Sequence, residues 1–136
     1  MRLDEPTCWS RIDAAGHGAL GTIHPRRGVD AVPVVFVVVD GQVVVPIDTV
    51  KAKAGRRLQR LANVGADPRV VLLVDRYDDD WSRLWWVRIH GEAVEVDASP
   101  AHLSALAATF PAYREDGAVT GALVVTPTET TGWSAG

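Results

Sequence analysis

Apolar residues recur at two different spacings along this chain, and the changes of spacing outline its elements. Residues 6–15 place Trp9, Ile12 and Ala15 on one side of a short helix. Ala19 to His24 predicts a first strand, closed by the turn Pro25-Arg26-Arg27-Gly28, and Val29 to Val39 a long apolar second strand. Asp40-Gly41 is a two-residue hairpin signal that returns the chain through a third strand, Gln42 to Ile47. Connections this short leave no room for helical crossovers, so the strands are expected to pair antiparallel.

Over residues 53–64 the period lengthens. Ala54, Leu58, Leu61 and Ala62 form one helical stripe, ended by Gly65 and Asp67-Pro68. Arg69 to Asp75 predicts a fourth strand, and Leu84 to Val96 a long fifth one with Gly91 as a bulge or bend. Ser99-Pro100 reads as an N-cap with Pro at the first helical position. The helix it starts would bury Leu103, Leu106, Ala107 and Phe110. Ala122 to Thr126 is the last predicted strand, followed by a polar tail ending at Trp133. About six antiparallel strands with inserted helices predict one α+β domain over residues 1–136, a β-barrel.

Composition narrows the functional classes. The chain has 136 residues and is 47% hydrophobic, enough to bury a core. Its 21 valines support the strand reading. A net charge of -3 is too acidic for a dedicated nucleic-acid binder. The longest apolar runs fall far short of the ~20 residues of a membrane helix, and the acidic N-terminus does not read as a secretory signal. A cytoplasmic protein is the expectation. Its single cysteine, Cys8, excludes an intrachain disulfide framework and a multi-cysteine zinc site, and a packed or idle thiol is expected there. His17, His24, His90 and His102 lack metal-ligand spacing, so no metal site is expected.

The distribution of charge is more informative than its sum. Both lysines, Lys51 and Lys53, lie in the run Thr49 to Arg60, which also contains Arg56, Arg57 and Arg60 and no acid. On a helix, Lys53, Arg56, Arg57 and Arg60 fall at i, i+3, i+4 and i+7, a basic stripe at a strand-to-helix junction. Such a stripe is either a solvated helix face or an anion cradle suited to phosphate. A second cluster, Asp78-Asp79-Asp80, lacks the spaced ligands of a calcium loop and reads as loop-tip acids pairing with arginines across a subunit contact. Trp85 and Trp86 are adjacent, so on a strand they face opposite sides, and one is expected to meet a partner subunit or a bound ring. Gly-x-Ser-x-Gly, P-loop and Gly-x-Gly-x-x-Gly motifs are absent. An anion cradle with no evident nucleophile or base fits a cofactor that carries the chemistry itself.

The ordered set Ala19–His24, Val32–Phe36, Val45–Asp48, Lys53–Leu61, Asp67–Asp75, Trp86–Gly91 and Thr131–Trp133 resembles the pyridoxamine-phosphate-oxidase-like, FMN-binding split β-barrel superfamily. Within it, the stretch from Asp78 to Arg88 looks most like the F420-dependent oxidoreductases. The resemblance implies a homodimer with cofactor sites at the subunit interface and a small-molecule substrate, without nucleic acid or membrane partners. It implies that Val45, Pro46, Ile47, Asp48 and Thr49 lie along the cofactor ring, with Pro33 to Val35 approaching it, Val34 among them. Lys51, Lys53 and Arg57 would take the phosphate, Arg56 and Arg60 more distal anionic groups, and Trp86 and Trp133 would close the groove. Five bases exceed what the single phosphate monoester of FMN requires. That favours coenzyme F420, whose phosphodiester continues into a glutamate tail, over FMN. The expected reaction is hydride transfer between the deazaflavin and a small conjugated acceptor, with no catalytic residue named. An FMN-dependent oxidoreductase and a non-catalytic F420 carrier or sensor are the alternatives.

Overall fold

The computed structural model describes residues 1–48 and 58–136. Helix α1 (Glu5–Ala15) starts at Asp4, whose carboxylate accepts from Thr7 N, and ends at Gly16 in the left-handed conformation. Strands β1 (His17–His24), β2 (Gly28–Val35), β3 (Val37–Val39) and β4 (Gln42–Asp48) follow. Helix α2 (Gln59–Ala66), β5 (Arg69–Arg76), β6 (Trp85–Asp97), α3 (Pro100–Thr109) and β7 (Val119–Ser134) complete the chain.

All seven strands of the described residues form one antiparallel sheet in the order β2-β1-β5-β6-β7-β4-β3. The sheet is not closed. Its two edges are β2 and β3, which follow each other in the chain and are separated only by Phe36. The sheet therefore curls until its edges meet at one residue, and the barrel is split there. Phe36 is buried, and its N–H donates to Gly16 O at 3.0 Å, one step beyond the His17–Val35 pair. The α+β split-barrel expectation holds, with seven strands rather than about six.

Alternation places Leu20, Leu72, Val74, Val87, Ile89, Leu123 and Val125 inside, where they pack against Ile12, Phe36, Leu61 and Val64. A second cluster, with Val37, Val44, Leu106 and Val124, lies under α3. Asp40 and Gly41 both have positive φ, as the two-residue β3–β4 turn requires. The expected irregularity at Gly91 is a register shift between His90 and Gly91, and a Cβ there would meet Thr126 O at 2.5 Å. Ser99 caps α3 as expected, in a reciprocal box with His102.

Four expectations need correction. The long strand expected over Val29 to Val39 is two strands, divided at Phe36. The presumed polar tail is the second half of β7, a 16-residue strand whose exposed threonines pair with β6 on one side. Helix α2 begins at Gln59, since Leu58 is extended, and Gly65 lies inside it. Its buried residues are Leu61, Asn63 and Val64, while Ala62 is exposed. On α3, Leu106 is buried and Leu103 is exposed, because α3 lies across the sheet at its margin and covers only the small second cluster.

The outer face of β1, β5, β6 and the end of β7 carries no helix of the described residues. Ala19, Leu73, Arg88 and Thr131 lie in one row across it, and Asp75, Trp86 and Trp133 in the next.

Candidate functional site

Two concavities on the described residues gather the chemistry singled out by the sequence. The first lies between the β1–β2 hairpin and the start of α2. It has a volume of about 300 Å³ and is lined by Thr22, Arg27, Asp30, Ala31, Val32, Leu58, Gln59 and Arg60. Its floor is a polar network. Asn63, fully buried on α2, donates from Nδ2 to Thr22 Oγ1 and to Asp30 Oδ2, each at 2.9 Å, and accepts from Gln59 Nε2 at 2.9 Å. Asp30 in turn accepts from Arg27 Nε at 2.6 Å and Nη2 at 2.8 Å. These hydrogen bonds hold the Asp30 carboxyl below its usual range, Arg27 first and Asn63 second. Arg27 is thus committed to Asp30, and Arg60 is the wall's other arginine. Burial pulls the Arg60 guanidinium below its ordinary range, and the neighbouring Asp48 charge opposes that shift.

Of the predicted cradle, Arg60 lies on this wall. Thr49, Lys51, Lys53, Arg56 and Arg57 fall outside the described residues. The chain re-emerges from that basic run at Leu58, itself part of the cavity lining. Because Leu58 is extended, the helical stripe expected to run from Lys53 to Arg60 is interrupted before Arg60.

The β4 residues lie on the strand between β7 and β3. Pro46 is buried, Ile47 is half-buried, and Asp48 is buried and accepts from Tyr113 Oη at 2.8 Å. Ile47 also borders a shallow acidic concavity with Glu95 and Asp97. On β2, Val34 packs into the core and Val35 is half-buried.

The second concavity, about 440 Å³, lies on the bare outer face and is lined by Leu73, Asp75, Arg76, Tyr77, Leu84, Trp85, Trp86, Arg88 and Trp133. Trp86 pairs directly with Trp133 across β6 and β7, and the Arg88 guanidinium lies 5.1 Å from the Trp86 ring centre. Trp85, on the opposite face, is covered by Arg11 at 5.0 Å. Tyr77, part of this lining, is 70% exposed.

Among the described residues, the β4 residues and the tryptophan pair stand at different levels of the sheet. Trp86 is level with Trp133, whereas Ile47 is level with Gly121, opposite Asp97 on β6. The eleven residue steps from Trp86 to Asp97 span roughly 35 Å along the strand.

The acidic loop is tied to itself. Asp78 accepts from Asp80 N, and Asp80 Oδ1 accepts from Ser82 N and Oγ. Arg76 pairs with Asp78 at 3.5 Å. No group of three or more metal-ligating side chains occurs among the described residues. Cys8 is buried, and burial pushes its thiol up, the property of a packed thiol. No described helix is long and apolar enough to cross a membrane.

Sequence reading missed Asn63 and Tyr113. A lone Asn between Leu61 and Val64, on the buried side of an amphipathic helix, was the available signal for the first. Tyr113 had none, because its partner Asp48 is 65 positions away.

With this geometry, the chain matches the pyridoxamine 5'-phosphate oxidase family model over residues 4–133. It belongs to that family. No curated protein matches it. Among solved structures, it is similar to a conserved hypothetical protein of Mycobacterium tuberculosis, with a TM-score of 0.77 at 20% identity, covering 98% of this chain and 86% of that one. It is also similar to a FAD-binding protein of Mesorhizobium loti, with a TM-score of 0.71 at 16% identity, covering 97% and 93%. An F420 reductase gives a TM-score of 0.64 at 18% identity, covering 89% and 93%. At these identities the likeness establishes the fold.

Proposed function

We propose that this protein is a homodimeric, cytoplasmic F420-dependent oxidoreductase that passes a hydride to a small conjugated acceptor. The observation that carries the reading lies at Leu58, which follows a run of two lysines and two arginines in the sequence and lines a cavity walled by Arg60. A volume of about 300 Å³ suits a phosphate group and its immediate linker rather than a whole flavin-sized cofactor. The donor set, a guanidinium beside the Gln59 amide, suits an anion. FAD-binding and F420-reductase structures share the fold, which supports a flavin-type cofactor.

In this reading Lys51, Lys53, Arg56, Arg57 and Arg60 hold the phosphate and the anionic tail, while Pro46 to Thr49 and the backbone of Val34 and Val35 border the ring. Trp86 and Trp133 stand too far from β4 to serve the same ring within one chain. They would reach it from the partner subunit, across the bare outer face. A twofold contact of that face would also cover Leu73, which is 41% exposed. The bound deazaflavin supplies the hydride. The chain supplies orientation and exclusion of water by the aromatic wall. Titration with F420 and with FMN, followed by tryptophan quenching, tests the reading: F420 is expected to quench and FMN to bind more weakly. Tight FMN binding with no response to F420 would contradict it.

A further inference from the structure

The groove on the bare outer face combines aromatic rings with an arginine that no described carboxylate neutralises. Three exposed large apolar side chains, Leu73, Tyr77 and Trp133, gather in its lining beside half-buried Trp86. Trp86 and Trp133 pair across β6 and β7, so the two indoles share one face. The Arg88 guanidinium lies 5.1 Å from the Trp86 ring centre. Among the described residues no carboxylate comes within 4.0 Å of it.

The other charges of the lining are Asp75 and Arg76. Arg76 has Asp78 as its partner at 3.5 Å. Asp75 pairs with Trp86 and Arg88 with Leu73, so Asp75 stands diagonally from Arg88 on the same face. On its other side Arg88 pairs with Thr131. Thr131 Oγ1 is the one buried side-chain polar atom among the described residues without a hydrogen-bond partner. Such a hydroxyl is destabilising until an acceptor reaches it. Arg88 and Thr131 thus set a cation and a spare donor next to an aromatic surface.

Each part selects a property of the ligand. Indoles favour a flat ring, which stacks on them or meets them edge-on. A guanidinium favours a carboxylate, whose two oxygens match its fork of donors. Asp75 limits the charge, because its repulsion of a dianion is about twice that of a monoanion.

We propose that this groove binds a planar conjugated monocarboxylate, its ring against Trp86 and Trp133 and its carboxylate on Arg88. The volume of about 440 Å³ suits one small fused ring system. Its role as hydride acceptor rests on the cofactor reading above, in which this face meets the partner's cofactor ring. One carbon of its conjugated double bond then takes the hydride and the other a solvent proton, as the reduced deazaflavin loses two electrons.

Calorimetric titration of the full chain with 2-naphthoate and with the neutral 2-naphthamide tests the groove separately from the cofactor. Wild type is expected to bind the carboxylate about tenfold more tightly, the fold-change of one charge-assisted contact. Arg88→Gln should equalise the two ligands, while Arg76→Gln should leave the preference in place. Equal or unmeasurable binding of both by wild type overturns the proposal, whatever the stability of the variants. So does a preference that survives Arg88→Gln in a protein whose thermal melt shows it folded. A wild type that prefers 2-naphthoate and fails to bind F420 overturns the cofactor reading and the acceptor role, and leaves the groove's ligand class standing.

Discussion

Asn63 donates from Nδ2 to Asp30 Oδ2 at 2.9 Å, and this contact joins α2 to the β1–β2 hairpin beneath the candidate phosphate cavity. The same amide nitrogen reaches Thr22, so one side chain ties α2 to two strands. Asn63→Ala leaves the buried Thr22 hydroxyl without this partner and is expected to cost about 2 kcal/mol in urea unfolding. Asn63→Asp is expected to cost more, because it sets a second carboxylate against Asp30. A loss from Asn63→Asp smaller than that from Asn63→Ala would contradict the assigned network.

Much of the fold was legible because local chemistry and tertiary pairing agreed. Asp40-Gly41, Ser99-Pro100 and Gly91 each impose a backbone geometry that the structure keeps. Disagreement arose where long-range pairing decided. Thr126 to Thr131 looks polar in sequence, yet β6 pairs with it on both sides of the register shift at Thr128, and β-branched threonine suits an exposed strand. Phe36 continues an apolar run and gives no local sign that the ladder breaks there. The candidate site was half legible. Its basic run stood out by composition, but the Asp48–Tyr113 and Asn63–Asp30 pairs join residues far apart in the chain, and spacing carries no signal for such contacts.

Gly91 is expected to resist substitution. A methyl group there would meet Thr126 O at 2.5 Å and Val125 Cγ1 at 2.8 Å, so β7 must move away from β6. Gly91→Ala should destabilise the protein by about 2 kcal/mol in chemical denaturation. The exposed Gly28, where nothing lies within 4 Å of the position, has φ +89°. Gly28→Asn should therefore be milder than Gly91→Ala, since Asn tolerates positive φ.

Alkaline pH should reveal the Tyr113–Asp48 contact. The ordinary phenol value is 10.0, and the folded protein pushes Tyr113 up to about 12. Between those values the folded state keeps a proton that the unfolded state has lost, so this contribution is complete below pH 10 and disappears as pH rises through 12. The urea midpoint is expected to fall across that window in wild type and to fall less in Tyr113→Phe. Equal slopes would show that the phenol does not feel Asp48.

The bare outer face yields a prediction about assembly. Leu73 lies in a row with Ala19 and Arg88 at the centre of that face. Leu73→Glu introduces a charge on a surface that the proposed dimer covers, and it is expected to convert the dimer to monomer in light scattering while leaving the far-UV spectrum unchanged. Loss of F420 quenching in the monomer would follow, because Trp86 and Trp133 act across the interface. An unchanged mass would remove this face from the assembly.

The account turns on whether the basic run holds a cofactor. The most direct measurement is F420 affinity, read alongside light scattering, for wild type and for the double variant Lys53→Ala, Arg57→Ala. An intact dimer whose F420 dissociation constant rises at least about tenfold, each lost charge contact being worth about 1 kcal/mol or more, is the predicted result. Loss of the dimer with affinity unchanged would contradict the account and make the basic run part of the subunit contact.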